Sequence, residues 1–221
     1  VVVSLRLSDF YINSKAYQSA VSKLKQALDT HPKNGYFFFR DTCNLFSEID
    51  LAALQAEICV KLSDVFIALG DFEQGLNFLT LADTKYLPGY GGCANGMIMY
   101  RTKLSLNFAE LYLKMGDTTK AIDRLLDYFM SNEYYDKAVT QKLKTILLTH
   151  YDQRTINREI EQGIKKMKFI KGAGKKEPEK ILCLTLFGHT LRLPVYGSLD
   201  DHKKMIRGNK NLQLLMTEKS N

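Results

Sequence analysis

Three stretches of this chain carry one helix–turn–helix signature in a shared register. The clearest copy runs from Ala56 to Pro88 around Ala68-Leu-Gly-Asp-Phe-Glu-Gln-Gly75. A second centres on Lys114-Met-Gly-Asp-Thr-Thr-Lys-Ala121, and a third, at the start, reads Tyr17-Gln-Ser-Ala20-Val, then Leu24, Ala27-Leu28 and Pro32. A unit of this size cannot bury its apolar face alone, so neighbouring units must stack on one another. The predicted fold is therefore all-α, a solenoid of α-α hairpins over residues 1–170.

The copies resemble the tetratricopeptide repeat family. That family expects a large and a small residue on a first helix, a Gly-Asp-type turn, and two further small residues on a second helix. In the middle copy these roles fall to Leu62, Ser63 and Phe66, then Gly70-Asp71, then Gly75 and Ala82. In the later copy they fall to Phe108, Ala109 and Tyr112, then Gly116-Asp117, then Ala121 and Tyr128. In the first they fall to Leu7, Ser8 and Tyr11, then Ala20, Ala27 and Pro32. Gly70 and Gly116 suit the left-handed backbone that ends a helix. Lys15 in place of the turn glycine and a large Tyr128 at a small-residue position mark a divergent member. The copies start 55 and then 46 residues apart, so extra segments separate them.

Helices are predicted over residues 2–13, 16–30, 43–69, 72–85, 98–115, 118–131, 134–150 and 153–169. In the first gap, Tyr36-Phe-Phe-Phe39 followed by Leu45, Phe46, Ile49, Ala52 and Ala53 reads as an aromatic anchor leading into a helix. The second gap, Gly89 to Arg101, is glycine-rich and reads as a loop. Tyr134, Tyr135, Ala138, Leu143, Ile146 and Leu147 extend the stack, and Ile156, Ile160, Ile164 and Met167 mark its last amphipathic helix. After a basic Gly/Lys loop at 171–180 the period changes. Leu182, Leu184 and Leu186 alternate, as do Leu191, Leu193 and Val195, which predicts a β-hairpin turning at Gly188-His189. Residues 198–221 read as a short helix or loose tail, so that 181–221 form a C-terminal hairpin and tail.

Charge is unevenly spread. Residues 1–135 carry a net −2, residues 136–180 a net +6 and residues 181–221 a net +3. Lys165, Lys166, Lys168, Lys171, Lys175 and Lys176 have no acidic residue among them. Such a cluster suits phosphates or acidic protein, and it equally suits a solvated helix end running into a loop. Lysine without arginine argues against base-specific readout.

No catalytic constellation is recognisable. Gly89-Tyr-Gly91-Gly-Cys-Ala94 imitates a dinucleotide-binding spacing, yet a helix rather than a strand precedes it. His31, His150, His189 and His202 lack metal-ligand spacing, and Asp200-Asp201-His202 reads as solvated. No cofactor, metal or small-molecule substrate is expected. Cys43, Cys59, Cys93 and Cys183 have no paired spacing and read as reduced intracellular thiols. No apolar run approaches the ~18 residues of a membrane span. The chain opens at Val1 rather than Met, as expected for part of a longer protein.

The repeat resemblance implies a groove lined by the first helix of each pair, with Asp9, Lys61, Asp64, Lys103, Asn107 and Glu110 near it. A carboxylate clamp of the co-chaperone kind is not implied, because Leu5, Asp9 and Asn107 stand where its basic and amide residues would be and only Lys103 matches. The expected function is thus a non-catalytic scaffold holding other protein subunits in a large intracellular complex, nuclear or cytoplasmic. The alternative is a nucleic-acid-associated subunit using the basic segment. Ala109-Glu-Leu-Tyr-Leu-Lys-Met-Gly-Asp117 followed by Asn132-Glu-Tyr-Tyr135 is similar, over about one repeat, to the repeat arm of the RNA polymerase III factor TFIIIC.

Overall fold

Every helix pair near the N-terminus is closed by one kind of turn. The computed structural model describes residues 2–29, 36–40, 46–89, 94–131, 136–171, 180–193, 195 and 197–217. These residues are mostly helical, with a small three-stranded antiparallel sheet in the C-terminal part. The chain forms two compact units, Val1–Asp117 and Thr118–Asn221. The division falls at the Gly116-Asp117 turn of the later copy.

The first unit contains α1 (Val2–Asn13), α2 (Tyr17–Leu28), β1 (Tyr36–Arg40), β2 (Phe46–Asp50), α3 (Leu51–Ala68), α4 (Phe72–Leu81) and α5 (Ala94–Lys114). A π-helical turn, Ala82–Tyr86, prolongs α4. After α1, α3 and α5 the chain makes the same two backbone bonds. Lys15, Gly70 and Gly116 N–H donate to Ile12, Ile67 and Leu113, and Ala16, Asp71 and Asp117 N–H donate to Tyr11, Phe66 and Tyr112. This is the helix-ending pattern that requires a left-handed residue. Gly70 and Gly116 sit at φ +79° and +77°, and Lys15 takes φ +58° without being glycine. Asp71 then caps α4 by accepting from Gln74 N–H at 3.1 Å.

Burial repeats with the same offsets. Ser8, Ser63 and Ala109 are fully buried, as are Leu24, Leu79 and Leu125. Two apolar clusters follow. In one, Ile58, Leu62 and Val65 of α3 meet Ala20, Val21, Leu24 and Ala27 of α2. In the other, Leu104, Phe108 and Leu111 of α5 meet Leu79 and Ala82.

Two expectations for this unit are corrected. Residues 36–40 and 46–50 form an antiparallel β-hairpin, paired from Tyr36–Asp50 to Arg40–Phe46, where a helix was expected from residue 43. Aromatic-rich runs favour strands, and an apolar run this short fits either period. The glycine-rich gap is also shorter than expected, because α5 begins at Ala94.

The second unit contains α6 (Thr118–Ser131), α7 (Lys137–Leu148), α8 (Gln153–Lys166), β3 (Lys168–Lys171), β4 (Lys180–Leu186), β5 (His189–Leu193), α9 (Leu199–Arg207) and α10 (Lys210–Met216). The sheet order is β3-β4-β5, antiparallel throughout. The expected hairpin is present, turning at Phe187-Gly188 with both residues at positive φ, the two-residue geometry that matches strand twist. Phe187 accepts that backbone while its ring packs 5.8 Å from Tyr151. On the other side, α8 presses so closely on β4 that a Cβ on Gly163 would stand 2.4 Å from the Thr185 carbonyl oxygen.

The expected helix over 153–169 ends at Lys166, where buried Met167 turns extended and feeds an edge strand. The sheet therefore starts before the anticipated boundary at residue 171, and the fold is not all-α. Of the two readings of residues 198–221, a short helix or a loose tail, the described part is helical, with two helices rather than one. Ser198 and Asp201 form a reciprocal cap on α9, and Asn209 caps α10. Buried Asn211 Oδ1 accepts from Asp136 N–H at 3.0 Å and from Thr140 Oγ1 at 3.1 Å. Asp136 itself caps α7 and receives the hydroxyl of Tyr128 at 3.1 Å, which gives that oversized residue a partner. Lys144, nearly buried, donates to the Leu214 and Thr217 carbonyls at the end of α10.

Candidate protein-binding surface

Helices α1, α3 and α5 are linked by one polar contact used twice. Lys61 on α3 donates to the Asp9 carboxylate on α1. Asn107 on α5 donates to Asp64 on α3 at 3.0 Å. Lys61 and Asn107 each stand nine residues before their turns, at Gly70 and Gly116, and Asp9 and Asp64 each stand six before theirs, at Lys15 and Gly70. Glu110 holds that same acidic position on α5 and is exposed. The donor of one helix thus reaches the acid of the preceding first helix, with the repeat offset built in.

Lysines surround the central carboxylate of this strip. Protein packed around Asp64 raises its carboxyl above the ordinary value by desolvation, against the opposing fields of Lys103, Lys61 and Lys114. Asp64 still keeps solvent access, and so do exposed Lys103 and Lys114. Lys61 is engaged by Asp9 and Glu110 is exposed on α5, so the strip carries charges of both signs, with Lys103 and Lys114 exposed beside Asp64. Of the six residues expected at the groove, Asp9, Lys61, Asp64 and Asn107 are in direct contact pairwise, and Lys103 acts on Asp64 through its charge. Lys114, which opens the Lys114–Ala121 turn motif, was not among the residues expected at the groove.

The expected basic cluster maps onto the second unit. Lys165 and Lys166 are exposed at the end of α8, and Lys168 and Lys171 are exposed on edge strand β3. Lys175 and Lys176 lie outside the described residues. Exposed Lys180 on β4 pairs directly across from Lys171, a neighbour hidden by the intervening loop. Lysine on an edge strand also deters another chain from adding to the sheet.

Burial and hydrogen bonding engage Cys59, His189 and His202. Burial pushes the Cys59 thiol up to about 12 despite nearby Lys85, which withholds the thiolate a nucleophile requires. His202, expected to be solvated, is buried: its Nδ1 lies 2.7 Å from the Ser198 carbonyl and its ring is edge-on to Phe169. A histidine one turn beyond its cap folds back onto the helix start. His189 Nδ1 lies 3.0 Å from Asp123, tying β5 to α6. His31, Cys43, Cys93 and most of the Gly89–Ala94 motif lie outside the described residues. Among the described residues, no group of three or more His, Cys, Asp or Glu could hold a metal ion, and no helix is long and apolar enough to cross a membrane.

No family model, no curated protein and no solved structure matches the chain.

Proposed function

We propose that the first unit is a divergent tetratricopeptide-type scaffold that holds extended segments of other protein subunits within a large intracellular assembly, nuclear or cytoplasmic. It does so without catalysis. The observation that carries this reading is the contact used twice, Lys61 to Asp9 and Asn107 to Asp64. A polar strip across successive first helices is what the inner wall of a helical-hairpin stack would present, and repeat platforms use such walls for binding. Exposed Lys103 and Lys114 beside Asp64 fit a partner segment carrying carboxylates. The test is photo-crosslinking from position 103 in native complexes, followed by identification of the joined peptides. Acidic protein segments, lost on combined Lys103→Glu and Lys114→Glu substitution, are the expected result. Crosslinks confined to nucleic acid, or indifferent to charge reversal, would overturn it.

One observation favours a second reading. Lys171 and Lys180 face each other across β3 and β4, and like charges opposite one another cost stability unless an anion lies between them. With Lys165, Lys166 and Lys168 they fit a phosphate backbone, as in a transcription-factor or RNA-processing assembly of the kind the TFIIIC-like segment implies. A salt titration of binding to duplex DNA and RNA decides this. A steep salt slope, flattened by Lys171→Glu and Lys180→Glu, supports it, and absence of binding at low salt removes it.

A further inference from the structure

The β3-β4-β5 sheet sorts the lysine cluster onto two sides. Paired residues of neighbouring strands share a face, and faces alternate along a strand. The Leu184 and Leu186 side chains meet α8 at Gly163, and Lys180 shares their parity, so Lys180 and its partner Lys171 face the side that carries α8. Lys168 faces the opposite side, in one row with Cys183 and Arg192. On the α8 side the row is longer than the lysines alone. Arg154, Arg158, Gln162 and Lys166 follow one another at four-residue steps, with Lys165 beside them, and all five are exposed. Among the described residues no hydrogen bond or ion pair engages these five side chains. Of the two acids on this helix, Glu161 is answered by Arg207 of α9 at 3.6 Å and Glu159 is half-buried on the flank. Helix α8 and strand β3 also run in line. Tyr151, just ahead of α8, lies 5.8 Å from Phe187 in the hairpin turn. Gly163 lies over Thr185, and β3 carries on beside β4 from Cys183 to Lys180. The basic track therefore runs along about 18 Å of helix and a further ~13 Å of strand.

We infer that this track binds the sugar–phosphate backbone of double-stranded RNA. The inference rests on the phosphate reading above and gives it a side of the unit, a direction and a ligand. Positive charge sustained over that length suits a polymer rather than a single phosphate. No aromatic side chain stands in the row, so it offers charge to a backbone and no platform for stacking unpaired bases. Arg154 and Arg158 bring the planar forks that phosphate oxygens fit, which the lysine cluster by itself lacks. Gln162, the uncharged member, both donates and accepts, as a ribose 2′-hydroxyl requires, and DNA has no such group.

Anisotropy titrations of the whole chain with an RNA duplex of ~20 base pairs test this. Between about 50 and 200 mM salt the affinity should fall with a log–log slope of about −4. Arg154→Glu with Arg158→Glu should weaken binding at least tenfold and flatten the slope by about two. Arg154→Lys with Arg158→Lys should keep the slope, which separates lost charge from lost fold. Lys168→Glu, on the other side of the sheet, should weaken binding less than twofold. Gln162→Ala should erase the preference for RNA over a DNA duplex of the same sequence and leave the slope alone. Equal affinity for the two duplexes, or a loss with Lys168→Glu as large as with Arg158→Glu, overturns the inference. So does displacement of the RNA by poly-glutamate at matched charge, which would assign the track to an acidic segment of this chain or another. Binding that survives Arg154→Glu and Arg158→Glu but is lost with Lys171→Glu and Lys180→Glu sinks the α8 track and leaves the phosphate reading standing. Absence of binding to either duplex at low salt removes both.

Discussion

The two units solve the problem of holding helices together in opposite ways. In Val1–Asp117 one solution is reused: the same turn bonds follow α1, α3 and α5, and the same donor–acceptor positions link successive first helices. In Thr118–Asn221 each contact is particular. Asn211 serves Asp136 and Thr140, Lys144 serves the end of α10, and Gly163 admits β4. Reuse spreads stability over many modest terms, each tolerant of change. Particular contacts concentrate it at a few positions where a polar group or a Cβ has nowhere else to go.

The contrast is open to attack in order of expected effect. Gly163→Ala should destabilise the second unit most, by about 3 kcal/mol, because the obstructing atom is backbone and α8 must lift from the sheet. Urea unfolding followed by exchange in β4 would report it, with exchange in α2 and α4 unchanged. Asn211→Ala should cost about 2 kcal/mol by stranding the Asp136 amide, while the Thr140 hydroxyl keeps its bond to the Asp136 carbonyl at 2.7 Å, and should release α10 to exchange before α7.

In the first unit, Lys15→Gly should stabilise by about 1 kcal/mol through relief of a left-handed non-glycine residue, while Gly70→Ala should destabilise by a similar amount. Thermal melts of both variants test whether the turns are equivalent. A Lys15→Gly variant no more stable than the parent would separate the first turn from the other two.

The smallest effect is in pH. Hydrogen bonds from Ser198 hold the Asp201 carboxyl below its usual 3.8, so its contribution is present above that value and is lost as pH falls through the lowered folded value. Desolvation raises Asp64, so its folding penalty exists at neutral pH and disappears as pH falls below 3.8. Protection of the α9 amides, relative to their intrinsic exchange at each pH, should therefore fall in acid, and Ser198→Ala, which leaves only the backbone N–H bond to Asp201, should weaken that response. Asp64→Asn should mimic the relief at neutral pH with Asn107 still hydrogen-bonded.

Legibility followed the same divide. The helix pairs of the first unit were readable because the turn and the small residues recur with one offset, so each copy checks the others. The β1–β2 hairpin was not, since Phe46 and Ile49 fit a helical interval as well as a strand. In the second unit the alternation of Leu182, Leu184 and Leu186 announced a strand. Strand β3 was hidden because Lys168-Phe-Ile-Lys171 is too short to display a period. Asn211, Lys144 and His202 read as ordinary polar residues, since partners about 70 residues away leave no local trace for the first two. At the candidate site, the family resemblance had pointed to six residues expected near a groove, of which four are in contact pairwise. Their pairing across helices emerged only when offset and distance were combined.

Lys15 has a consequence beyond its own turn. A bend that keeps its bonds after losing its glycine shows that shape outlasts the letter marking it. Units of this sort, scattered along other chains with the marker worn away, would betray themselves by equal intervals between buried positions rather than by any single residue.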